Sequence, residues 1–93
     1  MFLSTIYRYW RFVMNTSKAV ADRFLELCRE RDITINKLST HSAVSQSTTS
    51  DIVNGRSKNT GIVTIKKLCD GLGISLAEFF DTDVFHNLEQ EIK

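Results

Sequence analysis

Six consecutive residues, Gln46, Ser47, Thr48, Thr49, Ser50 and Asp51, carry amides, hydroxyls and one carboxylate. These groups donate and accept hydrogen bonds in fixed directions, which is the chemistry of recognition. Gln46 can pair through both ends of its amide with the N6 and N7 edge of adenine, and Ser47 or Ser50 can donate or accept at several bases. Asp51 can accept from cytosine N4, or its charge can discriminate against wrong sites. Gln46, Ser47, Ser50 and Asp51 are therefore the expected base contacts.

Catalytic alternatives find little support in the same residues. Cys28 and Cys69 lie on apolar helical stripes, where a free thiol behaves as a small hydrophobe. Two distant cysteines with His41 and His86 do not make zinc spacing. His41 stands beside several hydroxyls, but no acid is placed to orient it as a base. No glycine-rich phosphate loop is present. An enzyme is not expected, and neither is a cofactor, a metal or a small-molecule ligand.

The elements that must position these groups are set by spacing. Ile35 and Leu38 face a core one turn apart, Val44 marks a turn, and Ile52 fixes the inward side of the next helix. Ser45 is placed as its N-cap, able to accept from the N–H of Ser47 or Thr48, and Gly55 supplies a left-handed stop. A helix of two to three turns does not persist alone in water, so packing must impose its position.

Composition fits one small helical domain. The chain has 93 residues, 42% apolar and 25% charged, with four glycines and no proline, and no alternating strand-like stretch of any length. A first helix spans about 18–31, with Val20, Phe24, Leu27 and Cys28 inward and Arg23, Glu26, Arg29 and Glu30 on its outer face. A second begins after Thr34, where Ile33 and Leu38 form a staple. The reading helix is third. A fourth, about 62–72, turns Ile65, Leu68 and Cys69 inward, and a fifth opens on a Ser75–Glu78 capping box with Ile74 and Phe79 as its staple. The expectation is an all-α, compact five-helix bundle.

From Thr34 to Phe80, about half the chain, the sequence resembles the helix-turn-helix family of phage repressors and Cro proteins, the xenobiotic-response-element type. The family pattern runs ungapped through Leu38, Ser39, Ala43, Val44, Ser45, Ile52, Asn54 and Gly55, then through Ile65, Leu68, Leu72, Gly73, Ile74 and Phe79. The resemblance implies a lambda-repressor-like fold and a bacterial or phage cytoplasmic regulator, often a repressor. Five positions depart from the pattern. Ser39 replaces Ala, Ile35 a frequent Gln, and Thr60 a usual Pro. Thr49 replaces an aliphatic, which loosens packing unless its hydroxyl bonds back into its own helix. Ala43 replaces the turn Gly, which leaves either a strained residue or a turn without positive φ.

Net charge is only +1, but it is unevenly spread. Residues 34–67 hold Lys37, Arg56, Lys58, Lys66 and Lys67 against Asp51, a net of +4, whereas residues 78–93 carry a net of −4. The basic part coincides with the reading helix. Arg56, Lys58 and Asn59 in the following loop, with Asn54 and Thr34, are the expected phosphate contacts.

Three segments are expected: an extension over 1–14, a helix-turn-helix domain over 15–81, and an acidic tail over 82–93. The extension holds five of the nine aromatic residues and no acid; the expected start is Met14, followed by a capping Asn-Thr-Ser, and the competing reading is an aromatic arm that packs on a partner or on the bundle. In the tail, Val84, Phe85, Leu88 and Ile92 share one face of a short helix suited to a dimer contact or to packing beside the fifth helix, with a frayed terminus as the alternative. The expected partners are double-stranded DNA and a second copy of the chain, with no membrane span. A different use of the same fold is an antitoxin or protein-interaction module.

Overall fold

The computed structural model describes residues 15–92, and the expected extension over 1–14 lies outside them. Six helices are present among the described residues: α1 (Thr16–Glu30), α2 (Ile35–Ser42), α3 (Gln46–Val53), α4 (Ile62–Leu72), α5 (Leu76–Phe80) and α6 (Asp83–His86). Side-chain oxygens start four of them. Asn15 accepts from Lys18 N–H, Thr34 from Lys37, Ser45 from Thr48 and Ser75 from Glu78, and the expected capping box at Ser75 is complete. Each satisfies a donor that the first helical turn leaves open. No described helix is long and apolar enough to cross a membrane.

Four helices also stop in the same way. Asp32, Ala43, Gly55 and Gly73 are left-handed, with φ of 52°, 55°, 72° and 75°. The next residue then returns an N–H to a carbonyl five positions back: Ile33 to Cys28, Val44 to Ser39, Arg56 to Asp51 and Ile74 to Cys69. This is the Schellman closure, which satisfies carbonyls that the helix end leaves open. Of the two alternatives for Ala43, the residue adopts the strained one.

Phe24, Leu38, Leu68, Cys69 and Phe79 are fully buried at the centre, where the rings of Phe24 and Phe79 meet tilted at 42° with centroids 4.5 Å apart. Helix α2 packs on α3 and α4, α1 on α3, and α5 on α4. The α2–α4 crossing is close: a Cβ on Gly71 would stand 2.0 Å from Ser42 Oγ. Ser39, in place of the family's Ala, is buried and donates to Ile35 O at 3.1 Å.

Two expectations change. Arg23, expected on a solvated outer face, instead donates through Nε to Phe79 O at 2.8 Å and through Nη2 to Glu78 O at 3.0 Å, tying α1 to the end of α5. A guanidinium reaches these carbonyls because its long stem lies along apolar surface. The tail helix is also shorter than expected. It ends at His86, where Asn87 Nδ2 donates back to Asp83 O at 2.9 Å, and Ile92 is 85% exposed rather than on a shared face. One turn cannot hold itself. Phe85 supplies the anchor, against Phe79 at 5.8 Å and Phe80 at 4.9 Å.

Left-handed alanine costs about 1–2 kcal/mol, partly offset in glycine by its larger loss of chain entropy. Ala43→Gly should therefore stabilise the domain by about 0.5–1 kcal/mol, read as a Tm higher by a few degrees in thermal melts. A lower Tm would contradict the strain.

Candidate nucleic-acid interface

Helix α3 is seated by Thr49, Ile52 and Val53, all buried. Thr49 is fully enclosed, and its hydroxyl donates to Ser45 O at 3.0 Å, the back-bond that makes a polar side chain tolerable there. Ser45 Oγ accepts from Thr48 N–H at 3.1 Å and donates to Thr48 Oγ1 at 2.9 Å, so the start of the helix is fixed. With the inner side pinned, Gln46 and Ser47 are exposed, and their side chains make no hydrogen bond among the described residues.

Ser50 and Asp51 are engaged instead. Arg56 donates through Nε to Asp51 Oδ1 at 3.0 Å and through Nη2 to Ser50 Oγ at 3.2 Å. Asn54 Nδ2 donates to Ser50 O at 2.8 Å and to Ser50 Oγ at 3.1 Å. The hydroxyl of Ser50 thus accepts twice and keeps its proton to give.

All four expected base contacts line one shallow groove over Leu25, Ile35 and Val53. The expected phosphate contacts do not all join them. Asn54 and Arg56 share the groove. Lys58 and Asn59 line a second depression against the start of α1, where Ser17 Oγ donates to Lys58 O at 3.1 Å. Thr34 lines neither and spends an acceptor capping α2. Asn36 also lines the groove without being expected there, since its only signal in the sequence is an amide in the first turn of α2.

Two helices joined across a left-handed turn, the second presenting amides and hydroxyls outward, define a helix-turn-helix domain on an all-helical, lambda-repressor-like scaffold. The Cro/C1-type HTH DNA-binding domain matches residues 23–83. The chain belongs to that family. It is similar to the crystal structure of the prophage Lp1 protein 11, with 38% identity and a TM-score of 0.69 over 77% of this chain and 96% of that one. It is also similar to an HTH_3 family transcriptional regulator from Vibrio cholerae, with 26% identity and a TM-score of 0.66 over 73% of this chain. That match spans only 38% of the Vibrio protein. No curated protein matches the chain.

His41 is exposed and makes no hydrogen bond or ion pair among the described residues. Cys28 and Cys69 are free and buried. Burial pushes both thiols up, Cys28 against the opposing charge of Arg31 and Cys69 to about 11 against Lys66. The native thiols are therefore protonated at neutral pH and poor nucleophiles.

A pKa raised from 9.0 to about 11 cuts the thiolate fraction of Cys69 about a hundredfold. A disulfide reagent at pH 8 should label native Cys69 far more slowly than the urea-unfolded chain, and equal rates would refute the burial. The linkage has one sign for both thiols. The folded state holds their protons more tightly, so stability is intact below the ordinary thiol pKa of 9.0 and falls as pH rises through the raised folded values, about 11 for Cys69.

Proposed function

We propose that the chain is a sequence-specific DNA-binding transcriptional regulator that enters the major groove with α3 and represses by occupying promoter DNA. The observation that carries this reading is the unengaged amide and hydroxyl of Gln46 and Ser47, held outward at the first turn of a helix whose inner side is buried. Recognition helices of this class read base edges with their N-terminal residues. The Vibrio cholerae relative, described as a transcriptional regulator, supports the same reading.

In this proposal Gln46, Ser47, Ser50 and Asp51 form the base-facing group. Thr34, Asn54, Arg56, Lys58 and Asn59 are the proposed phosphate contacts. Two copies related by a two-fold axis would set their α3 helices about 34 Å apart, on successive major grooves of a roughly palindromic operator. Such a protein works in the cytoplasm.

Selection of bound sequences from random DNA, followed by sizing of the complex, tests both specificity and stoichiometry. Gln46→Ala should weaken the selected site by about 1–3 kcal/mol and relax one base position, with the fold unchanged by circular dichroism. An unaltered binding motif would remove Gln46 from the reading group. Lys58→Ala should instead weaken all sequences alike and reduce the slope of log affinity against log salt by about 1. An unchanged slope would place Lys58 off the phosphates.

A further inference from the structure

The Schellman closure recurs at four helix ends, and three of them obey one rule. The residue after the left-handed one is apolar and packs on the core: Ile33, Val44 and Ile74. At the end of α3 that residue is Arg56. Its N–H is fixed to Asp51 O at 2.8 Å, so Arg56 belongs to the helix stop rather than to a free loop. Its side chain folds back over α3 to Asp51 Oδ1 and Ser50 Oγ.

These contacts decide what the guanidinium can still do. Two of its five N–H groups are engaged, one on Nε and one on Nη2, which leaves donors on both terminal nitrogens. Paired terminal donors match two acceptors side by side, and guanine O6 and N7 are such a pair on the major-groove edge. A phosphate is the poorer match. Asp51 stands 3.0 Å from Arg56 Nε, and its charge offsets the one that a phosphate contact would use. It would also be carried toward the negative backbone. A base edge is neutral and asks for direction, which the carboxylate improves by holding the guanidinium still.

We infer that Arg56 is a specificity-determining residue that reads a guanine in the major groove, and that Asp51 is a positioning residue acting through it. This rests on the proposal that α3 enters the major groove, and within it moves Arg56 from the phosphate contacts to the base-facing group and Asp51 from direct contact to support. Ser50, bonded to the same guanidinium, belongs to the same unit, whereas Gln46 and Ser47 read independently of it.

The test is selection from random DNA with the full chain and four variants: Arg56→Ala, Arg56→Lys, Asp51→Ala and the double variant. Both residues are exposed, and folding of each variant is checked by circular dichroism. Wild type should select a motif with one guanine preferred by roughly tenfold or more. Arg56→Ala should level that position and leave the others intact, and Arg56→Lys should weaken it less, since lysine keeps the charge and donors but not the fork. Asp51→Ala should weaken preference at the same position, with the double variant no weaker there than Arg56→Ala. Retention of every base preference by Arg56→Ala, with affinity weakened for all sequences alike, would overturn the inference and return Arg56 to the phosphates. Loss of a separate cytosine preference in Asp51→Ala would overturn the positioning role. If wild type selects no motif, the regulator proposal itself fails, a result distinct from both.

Discussion

An eight-residue helix does not hold its shape in water, so the outward side of α3 depends on what lies beneath it. Thr49, Ile52 and Val53 supply that support. Burial of an aliphatic side chain is worth about 1.5–3 kcal/mol, so Ile52 and Val53 are significant beside a domain's total stability of about 5–15 kcal/mol. Thr49 adds bulk without an orphaned hydroxyl, because Ser45 O accepts its proton. The three inner side chains set the rotation of the helix about its axis. Rotation decides which of Gln46, Ser47, Ser50 and Asp51 can meet a ligand.

The second constraint is direction. Each of the first four helices stops at a left-handed residue, and after α1, α2 and α4 the next helix begins within a few residues, so its departure is set by that turn. At Gly55 and Gly73 the conformation carries no Cβ penalty. Ala43 accepts that penalty because Val44 must reach the core on the next step, and its N–H must find Ser39 O at 3.2 Å. The turn between α2 and α3 is thus determined by the burial of Val44, not by the propensity of the alanine in it.

Features that depend on contacts within about four residues were legible in the sequence. The caps at Ser45 and Ser75, the left-handed stop at Gly55, and the back-bond option for Thr49 are all of this kind. Those needing three dimensions were not. Val53 follows Thr49 by one helical turn, but Thr49 is polar and weakens the apolar pattern there, so the burial of Val53 becomes plain only with α1 packed against α3. Helix α6 has four residues and exists through ring contacts to Phe79 and Phe80. The grouping of Gln46, Ser47, Ser50 and Asp51 was foreseeable, but the split of the expected phosphate contacts was not, because loop residues share no period to reveal which side each one takes.

Charge divides in the same way at finer grain. By formal count the middle of the chain is basic, yet several cations are committed elsewhere. Lys66 pairs with Asp70 in its own helix, and Arg56 with Asp51. On α1, Lys18 pairs with Asp22, while Arg23 and Arg31 serve carbonyls at the ends of α5 and α4. Lys37, Lys58 and Lys67 have no ion pair among the described residues. A lysine is a mobile, strongly hydrated point charge, suited to a backbone that repeats the same charge at every step. An arginine fixed by a carboxylate trades that generality for geometry. On the proposed reading, the unpaired lysines would supply diffuse attraction and Arg56, drawn over α3, directional contact.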